Sequence, residues 1–150
     1  MAAPYPAPPD RETLVHATAV AIDGRAVLIS GTSGSGKSDL ALRLIDRGAV
    51  LVSDDQVAVR LEAGIVIARA PAMIAGRMEV RGVGVVEVRH AAEAPVVLWV
   101  ELGQEAERMP EGRMRSVVGS AVPAITVDPR PASAPIKVEW ALRHLAEERT

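Results

Sequence analysis

The chain has 150 residues, the usual length of one domain, and its 49% hydrophobic and 24% charged content is that of a folded globular protein, not of a disordered or fibrous one. A formal charge of -2, a pI near 5.9 and 2% aromatic residues supply neither the field to hold a polyanion nor a platform for stacked bases, which argues against a nucleic-acid partner. Cysteine is absent, so disulfides, thiolate metal sites and cysteine nucleophiles are excluded.

The first ten residues carry four prolines, which fit neither a helix interior nor a sheet centre. Residues 1–12 are therefore expected to form an extended tail ahead of one domain over residues 13–150. The tail has neither a basic nor an apolar signal region, and no apolar run reaches the length of a membrane span, so the expectation is a cytoplasmic protein without a membrane partner. From Thr18 the chain reads TAVAI, Asp23-Gly24, RAVLIS, and Asp-Gly between two aliphatic runs predicts a β-hairpin. The stretch after the glycine cluster, SDLALRLIDRG, puts Leu40, Leu44 and Ile45 on one helical face and stops at Gly48. AVLVS, residues 49–53, is too short for a helix and reads as a buried strand ending on Asp54 and Asp55.

Two further strands are expected around Glu62-Ala63-Gly64, and another over residues 95–102. Residues 103–120 mix Gly, Pro and charge without a period and read as a mobile loop carrying Arg108, Arg113 and Arg115. A closing helix follows a Ser133 cap, with apolar Ile136, Trp140, Ala141 and Leu145 at helical spacing. The fold class that results is α/β with a mixed, strand-rich sheet and few helices, in which the glycine cluster at residues 31–38 marks a P-loop nucleotide-binding domain.

Gly31, Thr32, Ser33, Gly34, Ser35, Gly36, Lys37 and Ser38 fit the phosphate-loop pattern G-x-x-x-x-G-K-[ST] between a predicted strand and a predicted helix. Glycines let consecutive N–H groups converge on phosphate oxygens, and the helix N-terminus adds positive potential. Lys37 is placed to reach the β- and γ-phosphates, and Ser38 offers a hard oxygen to Mg2+, so ATP with Mg2+ is the expected ligand. A dinucleotide fingerprint fails, because Asp39 stands where a third glycine or alanine is required. Asp54 and Asp55 close the next strand, where ligands gather in open α/β sheets. Adjacent strand residues face opposite ways, so one carboxylate can face a metal and the other an incoming hydroxyl.

Several of these segments together resemble the catalytic domain of bacterial HPr kinase/phosphorylase, a family that phosphorylates a serine of the phosphocarrier HPr. The resemblance spans roughly residues 16–88 and rests on His16 ahead of the hairpin, GTSGSGKS, the LVSDD strand end and MEVRGVGVVEV at residues 78–88. It implies an ATP- and Mg2+-dependent protein-serine kinase in which Asp55 accepts the serine proton, Ser38 and Glu79 hold magnesium, and His16 and Lys37 complete the site. From the residues, Asp54 is a further candidate metal ligand and Arg81 a candidate to neutralise phosphate charge. The resemblance also implies a homo-oligomer, a hexamer, and a short form lacking the family's N-terminal domain. The family's C-terminal arginine motif, tied to the reverse, phosphorolytic reaction, is replaced here by Pro135-Ile136-Lys137. Lys137 lacks the planar fork of arginine. Two other readings stay open: a P-loop kinase for a small metabolite, with residues 103–120 as its lid, and a nucleotide-responsive module without catalysis.

Overall fold

Short aliphatic runs broken by Gly-containing turns yield a sheet with little helix, and the computed structural model describes it over residues 12–104 and 113–148. A short β1 (Thr13–Val15) leads into β2 (Thr18–Ile22) and β3 (Arg25–Ser30), which pair antiparallel. Asp23 and Gly24 between them have φ of 52° and 78°, the doubly positive pattern that matches strand twist in a two-residue hairpin. A glycine loop then enters α1 (Lys37–Asp46), and β4 (Val50–Ser53) returns beside β2. β5 (Val57–Glu62) and β6 (Ile65–Arg69) form the second expected hairpin, again over two positive-φ residues, Ala63 and Gly64. A separate ribbon, β7 (Arg77–Val80) with β8 (Gly84–Glu87), precedes the long β9 (Ala94–Leu102).

Two departures from expectation follow. Residues 113–120 do not continue a loop: β10 (Met114–Val117) and β11 (Ser120–Val127) form an antiparallel hairpin, and β11 pairs parallel with β9. The turn is Val118-Gly119, with φ of 42° and 87°, and a β-branched residue at positive φ is the kind of turn that residue preferences do not signal. The proposed mobile stretch at 105–112, with Arg108, lies outside the described residues. The closing helix, α2 (Ala134–Glu148), is present, and the Ser133 carbonyl accepts its first helical hydrogen bond from Lys137. It buries Ala134, Val138 and Leu142, whereas Trp140 is 60% exposed and stacks under the Arg143 guanidinium. The buried stripe is thus turned away from the Ile136 and Trp140 face.

The sheet runs β1-β5-β6-β9-β3-β2-β4, with β11 and then β10 joined to it through β9. β9 serves three neighbours because its start pairs with β6 and its later part with β3 and β11. The parallel set β3, β9 and β11 therefore sits mid-sheet, and antiparallel strands flank it. Alternation along β3 sends Val27 and Ile29 toward one core with Leu40, Leu44, Val138 and Leu142 of the helices, and Ala26 and Leu28 toward a second core. The second core is closed by the sheet itself, with Val57, Val59, Val66, Val117 and Val122 curling over it. Burial of Leu40 and Leu44, each fully inaccessible, contributes about 2 kcal/mol apiece and seats α1 on the sheet. Arg47 holds α1 to α2 through a paired contact with Glu139 at 2.9–3.1 Å.

Candidate functional site

The site forms where the mid-sheet strands end and α1 begins. Gly36 caps α1 at φ 105° without any side-chain cap hydrogen bond. The first-turn N–H groups of α1 are therefore left for an anion, with the helix dipole behind them. Gly31 has no room for a side chain, since a Cβ there would meet Ser35 Oγ at 2.5 Å. That same Ser35 Oγ is buried and has no hydrogen-bond partner, an orphaned donor within the cradle. Lys37 is 6% exposed and arches over the loop, its Nζ donating to the Gly31 and Thr32 carbonyls at 3.1 and 3.2 Å. An ammonium has three donors, so one is left for a ligand oxygen.

Asp54 and Asp55 leave the end of β4 in different directions. Asp54 is buried at 8% exposure, and its carboxylate accepts three hydrogen bonds. Ser38 Oγ donates to Oδ1 at 2.6 Å, Thr18 Oγ1 donates to Oδ1 at 3.2 Å, and the Glu79 backbone N–H donates to Oδ2 at 3.0 Å. Asp55 is exposed and sits at φ 68°, a left-handed conformation that aspartate tolerates better than most residues. Its N–H donates to Thr18 Oγ1 at 3.1 Å, and its carboxylate lies 3.5 Å from His16 Nε2. Ser53 Oγ donates to the Gln56 carbonyl and the Gln56 N–H to the Asp54 carbonyl, which tightens the turn.

The structure thus brings together Lys37, Ser38, Asp54, Asp55 and His16. Glu79 joins through its backbone N–H, and its side chain is exposed. Arg81 is exposed in the β7–β8 turn, and among the described residues no hydrogen bond or ion pair ties it to this group. Two residues without a motif of their own complete the surroundings: Thr18, whose hydroxyl meets Asp54 and the Asp55 N–H, and Gly76, which carries φ 75° and abuts the His90 ring, which holds the β7–β8 ribbon beside Leu51. A buried threonine at the head of an aliphatic run has no sequence signal that separates it from a packing residue.

On the other flank of the loop, an open cleft of about 550 Å³ runs past Ser35, Gly36, Asp39 and Arg43 to Pro129 and Arg130. Arg43 fastens its wall by donating to the Pro129 carbonyl at 2.6 Å and to the Pro131 carbonyl at 3.3 Å. Arg130 is held against Asp128 by contacts of 2.9–3.0 Å, and these, from its guanidinium and then its backbone N–H, pull the Asp128 carboxyl down to about 2. Lys137 adds a weaker charge of the same sign toward Asp128.

Residues 10–132 match the model of the HPr serine kinase C-terminal domain. The chain belongs to that family. Among solved structures, the HPr(Ser) kinase/phosphatase from Coxiella burnetii superposes on this HPr kinase C-terminal domain with a TM-score of 0.78 and 29% identity, covering 91% of this chain and 98% of that one. Curated HPr kinase/phosphorylases match over 77 residues. The Clostridium botulinum Eklund 17B protein is 44% identical over 51% of this chain and 25% of its own length. The Clostridium beijerinckii protein is 46% identical over 51% of this chain and 26% of its own length. The match therefore spans about a quarter of those relatives. No helix among the described residues is long and apolar enough to cross a membrane.

The donors at the site fit magnesium. Among the described residues no three His, Cys, Asp or Glu side chains gather into a metal cage. Magnesium is commonly held by one or two carboxylates with phosphate oxygens and water, and the Ser38 hydroxyl with the Asp54 carboxylate is a donor set of that kind.

Proposed function

We propose that this domain is an ATP- and Mg2+-dependent protein-serine kinase acting on an HPr-type phosphocarrier, with residues 31–38 as its P-loop. The observation that carries the reading is the division between two neighbouring carboxylates. Asp54 is buried and bonded to the Ser38 hydroxyl, and Asp55 is exposed and aimed away beside His16. A metal-side acid and a hydroxyl-side acid are what phosphoryl transfer needs within one small site.

The loop N–H groups, the α1 terminus and Lys37 bind the phosphates and offset their charge. Ser38 and Asp54, with Glu79 at the rim, would hold magnesium, which would supply positive charge to offset that of the phosphates. Asp55 Oδ receives the proton of the acceptor serine as the serine Oγ bonds to the γ-phosphorus and the bond from that phosphorus to the departing ADP oxygen breaks. His16, 3.5 Å from Asp55, restrains that carboxylate and is the second group at the acceptor's entry. The cleft along α1, walled by Pro129 and the tethered Arg130, is the surface proposed for the nucleoside. Arg81 stands on the rim ribbon, suited to an acidic or phosphorylated partner surface.

The family assignment supports the acceptor: the C. botulinum relative is named for HPr. Incubating the protein with γ-labelled ATP, Mg2+ and an HPr-type carrier should put label on the carrier's serine. Turnover of ATP indifferent to the carrier, or transfer to a small metabolite instead, would refute the reading.

A further inference from the structure

Among the described residues, four polar or charged side chains are buried: Thr18, Lys37, Ser53 and Asp54. Lys37 and Asp54 belong to the phosphate and metal side, and Ser53 closes its own turn. Thr18 is wholly inaccessible, and its one hydroxyl touches both acids. The O–H donates to Asp54 Oδ1 at 3.2 Å, and the oxygen accepts the Asp55 N–H at 3.1 Å.

We infer that Thr18 is a positioning residue that sets the two carboxylates relative to each other, so that Asp54 stays on Ser38 while Asp55 is held in its left-handed conformation and turned to the acceptor. The inference rests on the kinase reading for what the carboxylates do. Three features carry it. A hydroxyl has one proton to give, and here it goes to a carboxylate that already takes the Ser38 proton at the same oxygen, so Asp54 Oδ1 is oriented by two donors. The Asp55 N–H is fixed by the same oxygen, and that bond helps to hold the left-handed backbone angle of φ 68° that turns Asp55 out of the strand direction. His16, two residues before Thr18, meets the Asp55 side chain, so a single stretch of chain grips both the backbone and the carboxylate of Asp55. Thr18 is itself fixed, because it pairs with Ile29 in the β2–β3 hairpin and cannot shift without the sheet. The sheet interior thereby transmits a rigid position to a carboxylate that is otherwise on the surface.

The test uses the full chain with Thr18→Val, which keeps the shape and removes the hydroxyl, Thr18→Ala, which makes room for water, and Thr18→Ser, which keeps the hydroxyl. Transfer to the HPr-type carrier and ATP affinity with and without Mg2+ are measured for each. Thr18→Val and Thr18→Ala should lose about 10- to 100-fold in kcat with ATP affinity in the absence of Mg2+ within about twofold, the range seen when a partner that orients a ligating group is removed, and Thr18→Ser should retain most of the rate. A kcat for Thr18→Val within about twofold of the wild type, or a loss in Thr18→Ser as large as in Thr18→Val, overturns the inference. If the wild type moves no phosphate to a carrier, the kinase reading fails by itself. Thr18 is then judged by binding: a Mg2+ enhancement of ATP affinity that falls about tenfold in Thr18→Val supports the inference, and one that is unchanged overturns it. A wild type that binds no ATP overturns both.

Discussion

Replacing Asp54 with alanine removes the acceptor of three donors at once, those of Ser38, Thr18 and the Glu79 backbone. Hydrogen bonds to a charged group contribute roughly 1.5–3 kcal/mol each, but solvent can reach Ser38 and the Glu79 N–H once the carboxylate is gone. Thr18, with no accessible surface, has no such substitute. The expected loss of stability is therefore about 2–3 kcal/mol, near a single charged bond and not the sum of three. For a domain of this size that lowers Tm by roughly 4–12 °C. Asp54→Asn behaves differently. Its amide nitrogen can donate to the Ser38 and Thr18 oxygens after those hydroxyls rotate, and its carbonyl can still accept the Glu79 N–H, but the inaccessible Thr18 proton is left without an acceptor, so a stability cost of about 1–3 kcal/mol remains. Both variants remove the negative charge and should lose Mg2+-dependent transfer by about 100-fold or more. Calorimetric melts of the two proteins alongside transfer assays separate the roles. An Asp54→Ala melt within 2 °C of the wild type, on the order of half the smallest shift expected here, would refute the hydrogen-bond reasoning, and a fully active Asp54→Asn would refute the charge reasoning.

Three further substitutions probe the scaffold. Gly76→Ala places a Cβ 2.8 Å from His90 Nδ1 at φ 75°, and denaturant unfolding should show a loss of about 1–3 kcal/mol; an unchanged midpoint would mean the β7–β8 ribbon is not anchored there. The Arg69 guanidinium, by hydrogen bond first and by charge after, holds the Glu12 carboxyl below its ordinary 4.5 against a smaller opposing effect of burial. A depressed carboxyl stabilises the fold above its unfolded pKa and stops doing so as pH falls through the folded one, so Glu12→Gln should cost about 1 kcal/mol at pH 7 and progressively less below pH 4.5. A difference that grows on acidification would show the sign to be wrong. Ala63 is exposed at φ 50° in the β5–β6 turn, and Ala63→Asn should raise stability by about 0.5–1 kcal/mol, which equilibrium unfolding reads directly.

What was legible in the sequence came from local chemistry. Asp23-Gly24 announces its hairpin because both residues accept positive φ, and the α1 stripe of Leu40 and Leu44 is repeated in the buried residues of the helix. The glycine loop, Lys37, Ser38 and the two acids at a strand end are recognisable because their spacing is dictated by the ligand they suit. The β10–β11 hairpin was hidden because Val118 occupies a position that usually belongs to Asn, Asp or Gly. α2 misled by its composition, since Trp140 is large and apolar yet covered on one side by Arg143 instead of by the core. Glu79 meets Asp54 through its backbone, which no reading of side chains anticipates, and Thr18 meets it across 36 residues of sequence. Arg81 remains on the rim, and its charge carries the proposal only toward a partner.

The most direct test of the proposed division of labour is Asp55→Asn, with ATP affinity and phosphoryl transfer to an HPr-type carrier measured on the same preparation in the presence of Mg2+. ATP affinity within about twofold of the wild type and transfer reduced by about 100-fold or more is the expected outcome, in the range for loss of a general base. Transfer at the wild-type rate would contradict the assignment of Asp55 as the acceptor of the serine proton.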